Sequence, residues 1–338
     1  MKPPTLTKPL NGLKEEIIIE IAENRIIQNP VIRHTTLEKL YDDFNASTKI
    51  HSYAGHTAAC RIGFAELHGR REYQEDRIVF GFVPDFKVLS KSQKLSVLNQ
   101  TIMKLTAIIA SHEMPRTGST LCLIVTDENY IYTVNVGDST AYLAVLNADD
   151  ESIQFKRLNQ HLHQPTEPLE RMRLEEAGKQ GFIHYKRLMG LALSRSMGDT
   201  DLEPFGLIHT PDIYTDEIIM PEKGKAFALI ACDGLTEGNC LAEHKEIGIE
   251  SIEQLMEANA KNSLEDIASI LTHEAFDKGS TDNISVLITN IENRMTPPKY
   301  MAVFDGHGGV ACADLLRKNF HTVFVDEINH ALKEENIQ

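Results

Sequence analysis

The chain has 338 residues, with 34 Lys and Arg against 49 Asp and Glu, a formal charge of −15 and 42% apolar residues. That balance describes an acidic globular protein with room for one large domain or two ordinary ones, and it excludes fibrous and disordered classes. The negative excess repels nucleic acid and anionic lipid headgroups, so no nucleic-acid partner is expected.

Residues 1–50 read as an N-terminal helical appendage: Pro-rich ends flank a stretch in which Leu13, Ile17, Ile21 and Ile26 suggest one apolar stripe. The first residues, Met-Lys-Pro-Pro-Thr, lack the apolar stretch of a secretory signal, which points to a cytoplasmic, reducing compartment and leaves open export without a cleavable signal. From about Cys60 short β-type runs alternate with amphipathic helices. The spacing of Leu95, Leu98, Ile102, Leu105 and Ile109 predicts a helix with one apolar face. A second helix is predicted from Ser263 to Phe276, with Ser263 as cap, Asp266 at the capping-box position and Leu264, Ile267 and Leu271 as its stripe.

Strands are predicted at 77–80, 121–125, 130–136, 227–231, 284–288 and 300–304, all rich in β-branched and aromatic residues. Turns rather than helices separate most of them, so the expected fold class is α+β: an antiparallel β-sandwich flanked by α-helices. The longest apolar run, Ala226 to Cys232, is far short of the ~20 residues that cross a bilayer, and no membrane insertion is expected. The five cysteines, Cys60, Cys122, Cys232, Cys240 and Cys312, form no Cys-x-x-Cys pair and read as free thiols, not zinc ligands or disulfides.

Three apolar strands end on an aspartate next to glycine: Phe304-Asp305-Gly306, Cys232-Asp233-Gly234 and Gly137-Asp138-Ser139. Carboxylates gathered at the ends of buried strands repel one another unless a cation neutralises them. The glycines let backbone carbonyls approach as further ligands, and an oxygen-only donor set suits Mg²⁺ or Mn²⁺ better than zinc. Glu75-Asp76 and Asp282-Asn283 precede two other strands, giving enough carboxylates for two ions. Two metals ~3.5 to 4 Å apart can clamp a displacement at phosphorus, and Arg71 could hold the phosphate with a bidentate fork. A single Asp-Gly is more often a turn than a ligand, and this bland reading suffices for Asp138 taken alone. The five-residue string Asp305-Gly-His-Gly-Gly309 is much harder to obtain by chance.

These residues resemble the metal-dependent Ser/Thr protein phosphatases of type 2C over roughly residues 57–325. The matching strings are Arg71-Glu-Tyr-Gln-Glu75-Asp76, Thr117-Gly-Ser-Thr120, Val136-Gly-Asp-Ser139, Pro168-Leu-Glu-Arg171, Leu193-Ser-Arg-Ser-Met-Gly-Asp199, Ala231-Cys-Asp-Gly234, Gly279-Ser-Thr-Asp-Asn-Ile-Ser285 and Val303-Phe-Asp-Gly-His-Gly-Gly309. In that family the Asp-Gly-His-Gly strand closely follows the Glu-Asp motif, whereas here it comes last, so the chain reads as circularly permuted, with that strand and its helix C-terminal. Residues 51–338 would then be the permuted catalytic domain, and the strands ending near Ile291 and starting at Tyr300 are expected to be sheet neighbours.

The resemblance implies a role for each site residue. Asp305 would bridge both metals, with Glu75 and the Gly306 carbonyl on one ion and Asp233 and Asp282 on the other. Asp138 would help hold a weaker third ion. Asp76 would orient the attacking water, Arg71 would grip the phosphate and His307 would protonate the leaving alkoxide. Asp199 and Asn283 match motif positions and take supporting roles. The implied function is hydrolysis of phosphoserine and phosphothreonine in phosphoprotein substrates, by in-line attack of a water activated by two Mn²⁺ or Mg²⁺ ions, in a protein expected to be a monomer. The competing reading is an inactive pseudophosphatase that serves as a partner-binding module. Two departures stand out: Thr236-Glu237 follows Leu235 where the family usually has Trp-Asp, and the family's Asp-His before the Pro-Leu-Glu helix reads Gln160-His161.

Overall fold

The computed structural model describes residues 61–112, 114, 116–147, 153–220, 223–236, 249–291 and 298–335, together with the backbone of four strands at 17–23, 26–28, 31–32 and 52–57. Cys60, Cys240, Leu13, Glu237 and the expected joint at Thr296-Pro297 lie outside the described residues. In chain order the strands are β1 (Ile17–Glu23), β2 (Ile26–Gln28), β3 (Val31–Ile32), β4 (Ser52–Thr57), β5 (Ile62–Leu67), β6 (Arg77–Phe82), β7 (Gly118–Ser119), β8 (Leu121–Thr126), β9 (Tyr130–Val136), β10 (Thr140–Asn147), β11 (Ile153–Arg157), β12 (Ile183–His184), β13 (Arg187–Leu188), β14 (Met197–Gly198), β15 (Asp212–Glu217), β16 (Gly224–Ala231), β17 (Ile284–Ile291), β18 (Lys299–Phe304) and β19 (Gly306–His307). The α-helices are α1 (Lys91–Ala110), α2 (Pro168–Glu176), α3 (Ile249–Asn259), α4 (Leu264–Asp277) and α5 (Ala311–Glu335).

One sheet runs in the order β11-β10-β16-β17-β5-β4-β1-β2, with β3 paired to β1, and a second in the order β15-β9-β8-β18-β6. The β16–β17, β17–β5 and β5–β4 ladders of the first and every ladder of the second are antiparallel. Antiparallel sheets with separate helices make the fold α+β, as the turn-separated strands implied. The chain divides into two compact units: one contains Met1–Gln74, Leu143–Lys156 and Met220–Glu292, the other Glu75–Tyr142, Arg157–Ile219 and Asn293–Gln338.

In the first unit β17 is buried along nearly its whole length, so its apolar residues run continuously instead of alternating. Ser263 caps α4 as predicted, accepting from the Asp266 N–H at 3.3 Å, while the Asp266 carboxylate accepts from the Ser263 hydroxyl at 2.6 Å. Gly63 of β5 lets this helix sit on the sheet, because a Cβ there would lie 2.3 Å from the Leu264 carbonyl carbon. The N-terminal expectation is corrected. Ile17–Glu23 is a strand, antiparallel to β4 from Ile17 opposite Thr57 to Ala22 opposite Ser52. A four-residue spacing of Ile17 and Ile21 suits a helix stripe, but Ile17, Ile18, Ile19 and Ile21 are all β-branched, and stiff χ1 rotors favour the extended chain.

In the second unit the predicted helix at 91–110 carries a full capping box between Ser90 and Gln93 and buries Val97, Leu98, Ile102, Leu105 and Ile109. α5 repeats buried residues every four positions, Cys312, Leu316, Phe320, Phe324 and Ile328, and joins the same apolar cluster, along with Tyr300, Ala302 and Phe304 of β18. The expected pairing of the strands ending at Ile291 and starting near Tyr300 does not occur. Both edges of β17 are taken by β16 and β5, and both edges of β18 by β6 and β8, so neither has a free ladder for the other. Among the described residues no helix is long and apolar enough to cross a membrane, and the buried Cys122, Cys232 and Cys312 are in no disulfide.

Candidate functional site

In the second unit, β6 begins directly after Glu75-Asp76, and β18 ends directly before Asp305, so the pairing of β6 with β18 brings two acidic motifs from opposite ends of the chain to one place. The Gly309 N–H donates to Glu75 Oε1 at 2.7 Å. Gly306 packs on the same segment: a Cβ there would stand 2.4 Å from the Glu75 carbonyl oxygen, which leaves room only for hydrogen. Asp305 is fixed through its backbone, its carbonyl accepting from the Thr120 N–H at 2.8 Å and its N–H donating to Thr120 Oγ1 at 3.2 Å. The Thr120 hydroxyl in turn meets Ser139 Oγ at 2.7 Å, next to Asp138.

Asp76 is 1% exposed. The buried Arg77 guanidinium donates to the Asp76 carbonyl at 2.8 Å and pairs with Asp314 of α5 at 2.5 Å, tying the Glu-Asp segment to the helix that follows Gly309. Asp138 is also buried, and burial lifts its carboxyl above the ordinary range even though the Gln164 side chain donates to Oδ2 at 2.9 Å. His307 reaches Asp199, Nε2 to Oδ2, at 2.6 Å.

In the first unit Asp233 and Asp282 flank neighbouring strands, just after β16 and just before β17. The two loops interlock. A Cβ on Gly234 would lie 1.9 Å from the Asn283 carbonyl oxygen, and Ser280 Oγ donates to the Gly234 carbonyl at 2.8 Å. Burial raises the Asp282 carboxyl, with the adjoining Arg71 guanidinium, hydrogen-bonded to it, opposing that shift. Asn283 carries more of this region than its motif position suggested, since its side-chain amide donates to the carbonyls of His68 at 2.7 Å and Tyr73 at 3.0 Å and so bridges the loop that holds Arg71.

Two features escape the sequence reading. The histidine built into the fold before α2 is His163, not His161: the Gly137 N–H donates to its Nδ1 at 3.0 Å and its Nε2 meets Asp212 at 3.1 Å. Its signal was only a two-residue offset from the family string. Arg77 looked like an ordinary strand residue, and only a Asp314 partner 237 residues away reveals it.

The donors available are carboxylates and a backbone carbonyl, the chemistry of a hard divalent ion. Asp138 in the second unit and Asp282 in the first, whose burial disfavours their charge, each suit a place beside a cation.

Acidic strand ends, a glycine-tight Asp-Gly-His-Gly-Gly turn and an α+β scaffold of antiparallel sheets are the features by which this chain resembles the type 2C phosphatases. The chain belongs to the protein phosphatase 2C family, whose model matches residues 31–284. It is 31% identical over 196 residues to the human integrin-linked kinase-associated serine/threonine phosphatase 2C, covering 54% of this chain and 47% of that one. It is 28% identical over 187 residues to mouse protein phosphatase 1B, covering 53% and 44%. The chain thus spans about half the length of the curated relatives it matches. A solved C. elegans sex-determining protein shares the fold, with a TM-score of 0.50 and 24% identity over 69% of this chain and 65% of that one.

Proposed function

We propose that this protein is a Mn²⁺- or Mg²⁺-dependent phosphatase acting on phosphoserine and phosphothreonine in proteins. The observation that carries this reading is the meeting of Glu75 with the Asp305–Gly309 turn, fixed by the Gly309 N–H to Glu75 bond. In this reading Glu75, Asp305 and the Gly306 carbonyl of the second unit would supply oxygen ligands to a divalent ion, Asp233 and Asp282 of the first unit would supply them to another, and Asp138 would help hold a weaker third. When bound, these ions supply Lewis-acid stabilisation of the phosphate and activation of water. Arg71 grips the phosphate oxygens with its planar fork, Asp76 orients the attacking water, and His307 delivers a proton to the leaving alkoxide.

The order of segments in this chain is a relocation, not a circular permutation. A circular permutation preserves cyclic order, yet here the Glu75-Asp76 segment runs directly into the 117–285 motifs and the Asp305 segment alone has moved to the end. Supporting this, the family match is a single span, 31–284, that contains both Glu75 and Asp282 and stops before β18.

The test is hydrolysis of an aryl phosphate and a phosphothreonine peptide with Mn²⁺, with Mg²⁺ and with chelator, beside Asp305→Ala and Asp233→Ala. Metal-dependent turnover lost in both folded variants supports the assignment. Equal turnover in wild type and variants overturns it, and a folded wild type that binds metal without turnover supports the partner-binding reading.

A further inference from the structure

Three two-residue strands form a small antiparallel sheet in the order β14-β7-β19. Gly118 of the central strand lies opposite Gly198 on one side and His307 on the other. Asp199, the residue after Gly198, and His307 therefore approach each other across Gly118. A Cβ on Gly118 would fall 2.0 Å from Asp199 Oδ2 and 2.4 Å from His307 Nε2, so only glycine permits the 2.6 Å contact between them.

The carboxylate is held from several directions. Ser196 Oγ donates to Asp199 Oδ2 at 2.7 Å, and the Asp199 N–H donates to the Thr117 carbonyl at 3.2 Å. Its backbone sits in the left-handed region at φ 48°, ψ 39°, a conformation that costs free energy for any residue but glycine and is best tolerated by Asp and Asn. The Asp199 side chain is 3% exposed while that of His307 is 26% exposed. One edge of the imidazole is thus fixed against a buried acid and the ring remains reachable. A carboxylate that accepts from one ring nitrogen sets the tautomer and orientation of the ring.

We propose that Asp199 is the positioning residue of His307: it holds the Nε2–H, so that Nδ1 is the nitrogen that delivers the proton. This rests on the phosphatase reading above. As the water oxygen bonds phosphorus and the P–O ester bond breaks, the leaving oxygen takes the Nδ1 proton and the N–H electron pair stays on the ring. The neutral ring keeps Nε2–H on Asp199, and the proton given up by the attacking water restores Nδ1–H after turnover.

A purely structural role for Asp199 would affect all substrates alike, whereas a role through His307 depends on the leaving group. An alkoxide needs the proton and a nitrophenolate does not. Asp199→Asn preserves shape and tolerates the left-handed backbone. With Mn²⁺, its kcat on a phosphothreonine peptide should fall roughly 10- to 100-fold with KM unchanged, while p-nitrophenyl phosphate turnover falls by about threefold or less. Gly118→Ala, which drives the pair apart without altering either partner, should reproduce the selective loss. Independently of turnover, ¹⁵N-histidine NMR of the metal-free protein, with the His307 signals assigned by their disappearance in His307→Gln, should show Nε2–H in wild type and a changed tautomer population in Asp199→Asn. Equal losses on both substrates, undiminished peptide turnover, or an Nδ1–H tautomer in wild type would overturn the proposal. If wild type hydrolyses neither substrate the phosphatase reading fails, and the NMR result still decides whether Asp199 governs His307.

Discussion

Replacing Phe320 by alanine tests whether the C-terminal strand and helix are an integral part of the second unit. Phe320 is fully buried on α5, with its ring centroid 5.2 Å from Tyr300, 6.0 Å from Phe304 and 5.6 Å from Phe324. Truncating a buried phenylalanine removes its transfer free energy and leaves a cavity, together about 3 to 5 kcal/mol. Three aromatic neighbours place the expected loss at about 4 kcal/mol, a large share of the roughly 5 to 15 kcal/mol that holds a folded domain. At an m-value of about 3 kcal/mol/M the urea midpoint should fall by roughly 1.3 M. The chain has no Trp, so far-UV circular dichroism is the readout. Val88→Ala, at a position 58% exposed, serves as the control and should stay within about 0.5 kcal/mol of wild type. A loss below about 1 kcal/mol for Phe320→Ala would refute the docking of α5 on this core.

Gly306→Ala and Gly234→Ala each push a methyl against a backbone oxygen, Glu75 at 2.4 Å and Asn283 at 1.9 Å, so both should lose turnover and melt lower; an unchanged melting temperature in either would contradict the packing. Burial alone would raise the Glu170 carboxyl, but hydrogen bonds from Arg195 and Arg173 overcome it and lower the pKa, and Asp212 is lowered against burial by His163 and Arg195. A carboxyl depressed in the folded state adds stability that is complete above about pH 4.5 and is lost as pH falls towards its folded value, so urea midpoints should decline below that pH, and Glu170→Gln should be weaker at pH 7 with a shallower acid slope. An identical slope in the variant would sink this account. Mn²⁺ at 100 times its Kd should add about 2.7 kcal/mol of stability, read as a rise in Tm that chelator reverses and Asp305→Ala abolishes; an equal rise in the variant would remove Asp305 from the ligands.

The strands were legible in the sequence because each is a short β-branched run bounded by turns, and the ladders of β6, β8, β9, β16, β17 and β18 contain the predicted segments. The helices at 91–110 and 264–277 were legible through their serine caps and apolar stripes. What failed was the type of the N-terminal element and one pairing. The spacing of Ile17 and Ile21 was read as a helix stripe where Ile17–Glu23 is a strand laddered to β4, and adjacency in sequence suggested a β17–β18 pair where each strand already has two other partners. The acidic residues were visible one by one as strand-end aspartates. The Asp199–His307 contact was not, because it joins residues 108 apart through a gap that exists only because residue 118 has no side chain.

The C-terminal strand and helix offer the strictest test of how far tertiary packing, rather than chain order, builds this fold. In the β6–β18 ladder Phe82 lies opposite Lys299, so a two-residue hairpin turn could join them directly. A rearranged chain that runs from Phe82 through such a turn into 299–335, and then by a flexible Gly/Ser linker into 83–291, keeps Phe86 and the Ser90 cap and asks for no change in either ladder of β18. Loop entropy rises only about 0.6 kcal/mol per doubling of length, far less than the apolar contacts of Phe304, Phe320 and Phe324 supply. The rearranged protein should therefore fold cooperatively, show the amide protection of β18 between β6 and β8, and retain the response of Tm to Mn²⁺. A chain that stays unfolded across several linker lengths would mean that the present connections, and not the packing of this strand and helix, determine where Asp305 is placed.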